Sequence, residues 1–140
     1  AQEEGGKNRF PSVYMYTTVL SAFEVAGLDQ ECQGILNEIP PSLVGRSVYN
    51  ICLNACVTKG NSRLAKQLID TMRDGPHEGT EPDAYSYAAA IRACTNDAAK
   101  RRQSGRARRY EPGPTGYTTE AARAVDFLKM AVEDGLANEV

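Results

Sequence analysis

The chain has 140 residues, 41% hydrophobic and 24% charged, and a formal net charge of −2. That length suits one domain, and a balance so near neutral argues neither for nor against a polyanionic partner. No apolar run approaches the roughly 18 residues of a membrane span, so membrane insertion is not expected. Four cysteines are too few for a secreted disulfide scaffold, and a reducing compartment is expected.

The opening AQEEGGKNRF has neither the apolar core of a signal peptide nor the acid-poor character of a transit peptide. Either the protein is cytosolic, or a targeting segment lies outside this sequence. Residues 1–12, ending in FPS, are read as the tail of a preceding repeat. Next comes YTTVLSAFEVAGLDQECQGILNEI, Tyr16 to Ile39, with apolar residues at helical spacing on both sides of a glycine. It predicts helices near 13–26 and 29–39. The pattern returns as YNICLNACVTKGNSRLAKQLIDTM, Tyr49 to Met72, and predicts helices near 47–59 and 62–74. An offset of 33 residues pairs Leu20 with Leu53, Ala22 with Ala55, Gly27 with Gly60 and Leu36 with Ile69. Gly27 and Gly60 are expected to end the first helix of each hairpin, and Asp29 and Asn61 to cap the second. Small residues recur where helices must approach closely, and bulky ones where they fill the seam.

Tyr87 opens a third copy, with Ile91, Ala93 and Cys94 in the places of Leu53, Ala55 and Cys56. Its helices are predicted near 85–97 and 119–134. Between them, at about 99–119, stands an insertion containing KRRQSGRARRYEPGPTG, with six basic residues, Lys100, Arg101, Arg102, Arg106, Arg108 and Arg109. One hairpin cannot hide both its apolar faces, whereas stacked copies can. The expected fold is therefore all-α, an α-solenoid of helix-turn-helix hairpins with about three repeats and six helices. Repeat 1 is placed at 13–45, repeat 2 at 46–83 and repeat 3 at 84–139.

Charge follows the same order. Residues 1–45 hold two basic and six acidic side chains, 46–83 five of each, and 84–140 nine basic and seven acidic. Attraction to phosphate therefore belongs to the later part, and the basic insertion reads either as a solvated loop or as a phosphate-tracking tether. Cys52 and Cys56 stand one helical turn apart, but a zinc site needs two further ligands and the single histidine is His77 in a Gly/Pro loop. No metal, no cofactor and no catalytic constellation are expected. The protein is not read as an enzyme.

The segment VYNICLNACVTKGN, then LAKQLIDTM, then EPDAYSY resembles the pentatricopeptide repeat family. A Tyr followed by a polar residue opens the first helix, Gly holds the turn, Met closes the second helix, and Pro-Asp precedes the next copy. The likeness runs from about residue 11 to 139, and Asn138 stands where the pattern has proline. Tetratricopeptide repeats share the length but carry a Trp-based signature, and this chain has no Trp. The resemblance implies single-stranded RNA as partner, one base per repeat, read by a few side chains. It implies that Asn50 and Asp83 read a base together, a combination the family uses for uridine. Thr17 holds the first reading position in repeat 1, with Gly45 as its partner in a shortened loop. Ala88 holds it in repeat 3, with Glu139, and can neither donate nor accept. Tyr14, Ser47 and Tyr85 stand where the family sandwiches bases. The implied setting is transcript processing, stability or translation in mitochondria or plastids. The competing reading is a protein–protein scaffold, for example within a larger organellar complex, that has lost RNA reading; Ala88 and the acidic first repeat favour it.

Overall fold

Helix starts and stops follow local chemistry. The computed structural model describes residues 12–75, 79–103 and 119–136. Along the chain run α1 (Val13–Ala26), α2 (Asp29–Glu38), α3 (Arg46–Lys59), α4 (Ser62–Arg73), α5 (Ala84–Gln103) and α6 (Thr119–Glu133). A 3-10 turn, Pro41–Leu43, links α2 to α3, and there is no strand among the described residues. Ser12 caps α1, its hydroxyl oxygen accepting from the Met15 N–H at 3.3 Å. Asn61 caps α4 in the same way, with Oδ1 3.0 Å from the Leu64 nitrogen. Gly27 and Gly60 close α1 and α3 in the left-handed conformation, at φ of 70° and 74°.

Asp29 departs from expectation. It is the first residue of α2 rather than its cap, a position Leu28 holds without a side-chain bond. The Asp29 carboxylate is buried and accepts from Asn61 Nδ2 at 2.6 Å, so it serves a link between hairpins instead.

The six helices form two layers. α1, α3 and α5 lie side by side, while α2 rests on α1 and α3, and α4 rests on α3 and α5. α6 packs on α5, with a lighter contact to α4. Leu20, Leu53, Leu68, Ile69 and Phe127 are sealed from solvent between the layers, each contributing roughly 1.5–3 kcal/mol of burial. Ala55 and Ala93 are fully buried, as small residues at a close helix approach should be. Ala22, expected to match them, is exposed. α3 has first helices on both sides, whereas α1 is packed mainly by α2 and α3 among the described elements. Tyr16 and Tyr87 are core residues, and Tyr49 is half-buried.

The fifth helix also differs from its reading. It does not stop near residue 97 but runs on to Gln103. Two basic side chains in the extra turns find protein partners: Lys100 Nζ donates to the Lys59 carbonyl at 2.7 Å, and Arg101 Nε lies 2.6 Å from Oε1 of the buried Glu120. Cations near a helix C-terminus are favourable in their own right.

All four cysteines are free and buried. Burial pushes the Cys56 thiol up to about 12 and the Cys94 thiol up to about 11. Among the described residues no three His, Cys, Asp or Glu side chains gather as metal ligands, and His77 lies outside them. Among the same residues no helix is long and apolar enough to cross a membrane.

Two outcomes follow from this packing. A Cβ at Gly60 would lie 3.2 Å from the Asn96 backbone, so Gly60→Ala should destabilise the fold by at least the 1–2 kcal/mol or so of the left-handed conformation. Gly34, inside α2, has nothing within 4 Å of such a Cβ, so Gly34→Ala should stabilise by roughly 0.5–1 kcal/mol. Urea melts of the two variants should move in opposite directions. The thiols should also resist Ellman's reagent at pH 8 until urea opens the fold; prompt labelling of the native protein would contradict their burial.

Candidate nucleic-acid interface

The N-terminus of α5 is built by a short reciprocal motif. Pro82 is buried and precedes Asp83, whose carbonyl accepts the first helical bond from Tyr87 N–H at 3.1 Å. Asp83 Oδ1 accepts from the Ser86 N–H at 2.9 Å, and the Asp83 N–H points back to Ser86 Oγ at 3.2 Å. Two otherwise orphaned donors are thus satisfied, in the manner of a capping box. The same Ser86 Oγ lies 2.8 Å from Asp83 Oδ1 and 2.6 Å from Oδ1 of Asn50 on α3. Asn50 and Asp83, far apart in the chain, therefore converge on one buried hydroxyl.

Arg46, the first residue of α3, braces the loop that carries Asp83. Its Nε donates to the Glu81 carbonyl at 2.7 Å, and its Nη1 lies 3.9 Å from Asp83 Oδ2. Burial raises the pKa of Asp83, but the Ser86 hydrogen bonds and the Arg46 charge more than offset it and hold the carboxyl below its ordinary 3.8. The residue is ionised at neutral pH.

One turn beyond Asn50, Asn54 Nδ2 donates to the Tyr85 hydroxyl at 2.8 Å. The Tyr85 ring is thereby tied across α3 while half its surface stays open. Ser47 is exposed near the start of α3, so the expected sandwich for a base beside Asn50 has one aromatic wall and one small polar one. Tyr14 is 76% exposed on α1.

The junction between α1 and α3 is poorer. Thr17 donates its hydroxyl to the Tyr14 carbonyl of its own helix at 2.9 Å. Gly45 has no side chain to offer, and Val48 stands in the register of Ser86. Ala88 is exposed on α5, and its expected partner Glu139 lies outside the described residues.

Of the basic residues expected to meet phosphate, Lys100 and Arg101 are engaged with the protein as described, and Arg102 is exposed. Arg106, Arg108 and Arg109 lie outside the described residues. Beside Asp83 opens a cleft lined by Asp70, Asp74, Glu81 and Asp134 against Arg46 and Arg73. Its acidic balance repels a phosphate group.

Ser86, Asn54 and Arg46 were not singled out from the sequence. Asp83 followed three residues later by Ser86 is a legible helix-start signal; the bond from Ser86 to Asn50 is not, because it crosses between helices.

Comparison with known proteins bears on these same elements. A family model for the PPR repeat matches residues 47–75, which span α3 and α4. A chloroplastic pentatricopeptide repeat-containing protein of Arabidopsis thaliana is 32% identical over 95 residues, 66% of this chain. The chain spans 12% of the length of that relative. No solved structure matches it. With its two-layered helical hairpins and the match over α3 and α4, the chain belongs to the pentatricopeptide repeat family.

Proposed function

We propose that this chain is a non-enzymatic, single-stranded RNA-binding segment of an organellar protein, serving transcript processing, stability or translation. The observation that carries the reading is the convergence of Asn50 and Asp83 on one hydroxyl at the α3–α5 seam. A short amide side chain held at that point has a donor and an acceptor for a base edge. The half-open ring of Tyr85 supplies a stacking wall, worth roughly 1–3 kcal/mol per base. Uridine is the expected base, and repeat 2 at 46–83 the unit that reads it. Arg102 and the basic residues after it, Arg106, Arg108 and Arg109, serve the backbone without sequence preference.

The relative's chloroplastic name supports an organellar setting. Met15 and Val19 are exposed on α1 at registers where α3 buries Val48 and Cys52, which supports a further hairpin stacking against α1. The scaffold reading has an observation in its favour too: Thr17 satisfies its own helix, and Ala88 offers no hydrogen bond.

Binding of ten-nucleotide U, C and A homopolymers, followed by fluorescence anisotropy, separates the readings. The wild type should prefer U10 over A10. Asn50→Ala should weaken U10 by roughly 1–3 kcal/mol and A10 by much less. Equal loss on every homopolymer would reduce Asn50 to a support of the helix, and no binding at all would favour the scaffold.

A further inference from the structure

Ser86 is asked for more protons than it holds. A serine hydroxyl has one proton and two lone pairs, yet three polar atoms crowd it. The Asp83 nitrogen at 3.2 Å is a donor and fills one lone pair. Asp83 Oδ1 at 2.8 Å and the Asn50 amide at 2.6 Å then compete for a single proton. Charge decides between them, because a hydrogen bond to a carboxylate is roughly twice as strong as one between neutral groups. With the proton on the Asp83 side, an amide oxygen facing Ser86 across 2.6 Å would meet a lone pair. A half-turn of the Asn50 amide about its Cβ–Cγ bond exchanges oxygen for nitrogen at almost unchanged shape, and turns the repulsion into an N–H···O bond.

We propose that Ser86 is a positioning residue that fixes which way the Asn50 amide points. Asp83 holds the Ser86 proton, Ser86 Oγ accepts from Asn50 Nδ2, and Asn50 Oδ1 is turned outward to the base. The direction matters for one distinction above all. Uracil presents N3–H as a donor, whereas cytosine presents N3 as an acceptor at the same point of its edge. An outward amide oxygen accepts from uracil N3–H and faces cytosine N3 with a second acceptor. An amide free to turn serves both pyrimidines. Ser86 thus selects uridine over cytidine without touching either base. The low proton affinity of Asp83 agrees with this, since the carboxylate stays charged at neutral pH. The inference deepens the base-reading role proposed for Asn50 and rests on it, but the amide's orientation can be measured without RNA.

Three substitutions test it. Ser86→Val and Ser86→Ala remove the hydroxyl, and Ser86→Thr restores it. A β-branched side chain fits this register, since Val48 occupies it on α3 at 1% exposure. The first readout is hydrogen exchange of the Asn50 side-chain amide by 15N NMR, its signals assigned by their loss in Asn50→Ala. Exchange should be slow in the wild type and Ser86→Thr, and several-fold faster in Ser86→Val and Ser86→Ala, with helicity unchanged. Equal exchange in the wild type and both hydroxyl-free variants would overturn the proposal. The second readout is the ratio of U10 to C10 affinity. It should fall by about tenfold in Ser86→Val, through gained C10 binding as well as lost U10 binding, and recover in Ser86→Thr. A U10 preference that survives Ser86→Val undiminished would also overturn it. Amide protection that depends on Ser86, in a chain that prefers no base, would leave the positioning supported and the base reading refuted.

Discussion

The close, in-register packing of α5 along α3 is the constraint on which the rest depends. Gly60 sits within van der Waals reach of the Asn96 backbone, and Asn50 meets Ser86. These two contacts are ten residues apart on both helices, or about 15 Å of helix. Equal spacing on two helices requires them to run parallel without slipping. A side chain at Gly60 would meet the Asn96 backbone and disturb the register at that end of the seam.

Polar links between hairpins hold that register where apolar contacts alone are permissive. Much of the α3–α5 seam is Ala and Cys, small side chains that tolerate sliding. Directional bonds do not. Ser62 Oγ lies 2.6 Å from Asp97 Oδ2 and 2.8 Å from Arg123 Nη1, which joins α4, α5 and α6 at one point. Tyr87 donates to the Asp134 carboxylate, which Arg73 also holds at 3.2 Å. Buried polar groups are costly unless satisfied, so each satisfied cluster penalises a shifted register. The acidic character of this framework also disfavours phosphate in the cleft beside Asp83.

The hairpin pattern was largely legible in the sequence, because it is written in local terms. Glycines at 27 and 60 and the apolar stripe of Leu64, Leu68 and Met72 each speak through neighbours a few positions away. The failures share another cause. Asp29 looks like a cap until Asn61 claims its carboxylate. Lys100 and Arg101 look like loop charges until the Lys59 carbonyl and Glu120 extend the helix beneath them. Ser86 looks like a local cap residue until Asn50 is brought against it. In every case the deciding partner comes from another helix, and no spacing rule within one segment reveals it. Asn50 and Asp83 were identified by family resemblance; their shared contact with Ser86 belongs to the three-dimensional packing.

The two junctions between first helices separate fold from chemistry. α1 meets α3 much as α3 meets α5, and α1 and α3 both end in left-handed glycines. Yet Gly45 and Val48 occupy the places of Asp83 and Ser86, and Thr17 turns its hydroxyl to its own backbone. Stacking needs only glycine at the turn and shape at the seam, and both junctions have them. Holding an amide in one orientation needs a carboxylate and a hydroxyl in fixed relation, and only the α3–α5 junction has those. Stacking and the proposed base reading therefore rest on different residues of the same hairpin. A junction can lose its reading chemistry without losing its place in the stack.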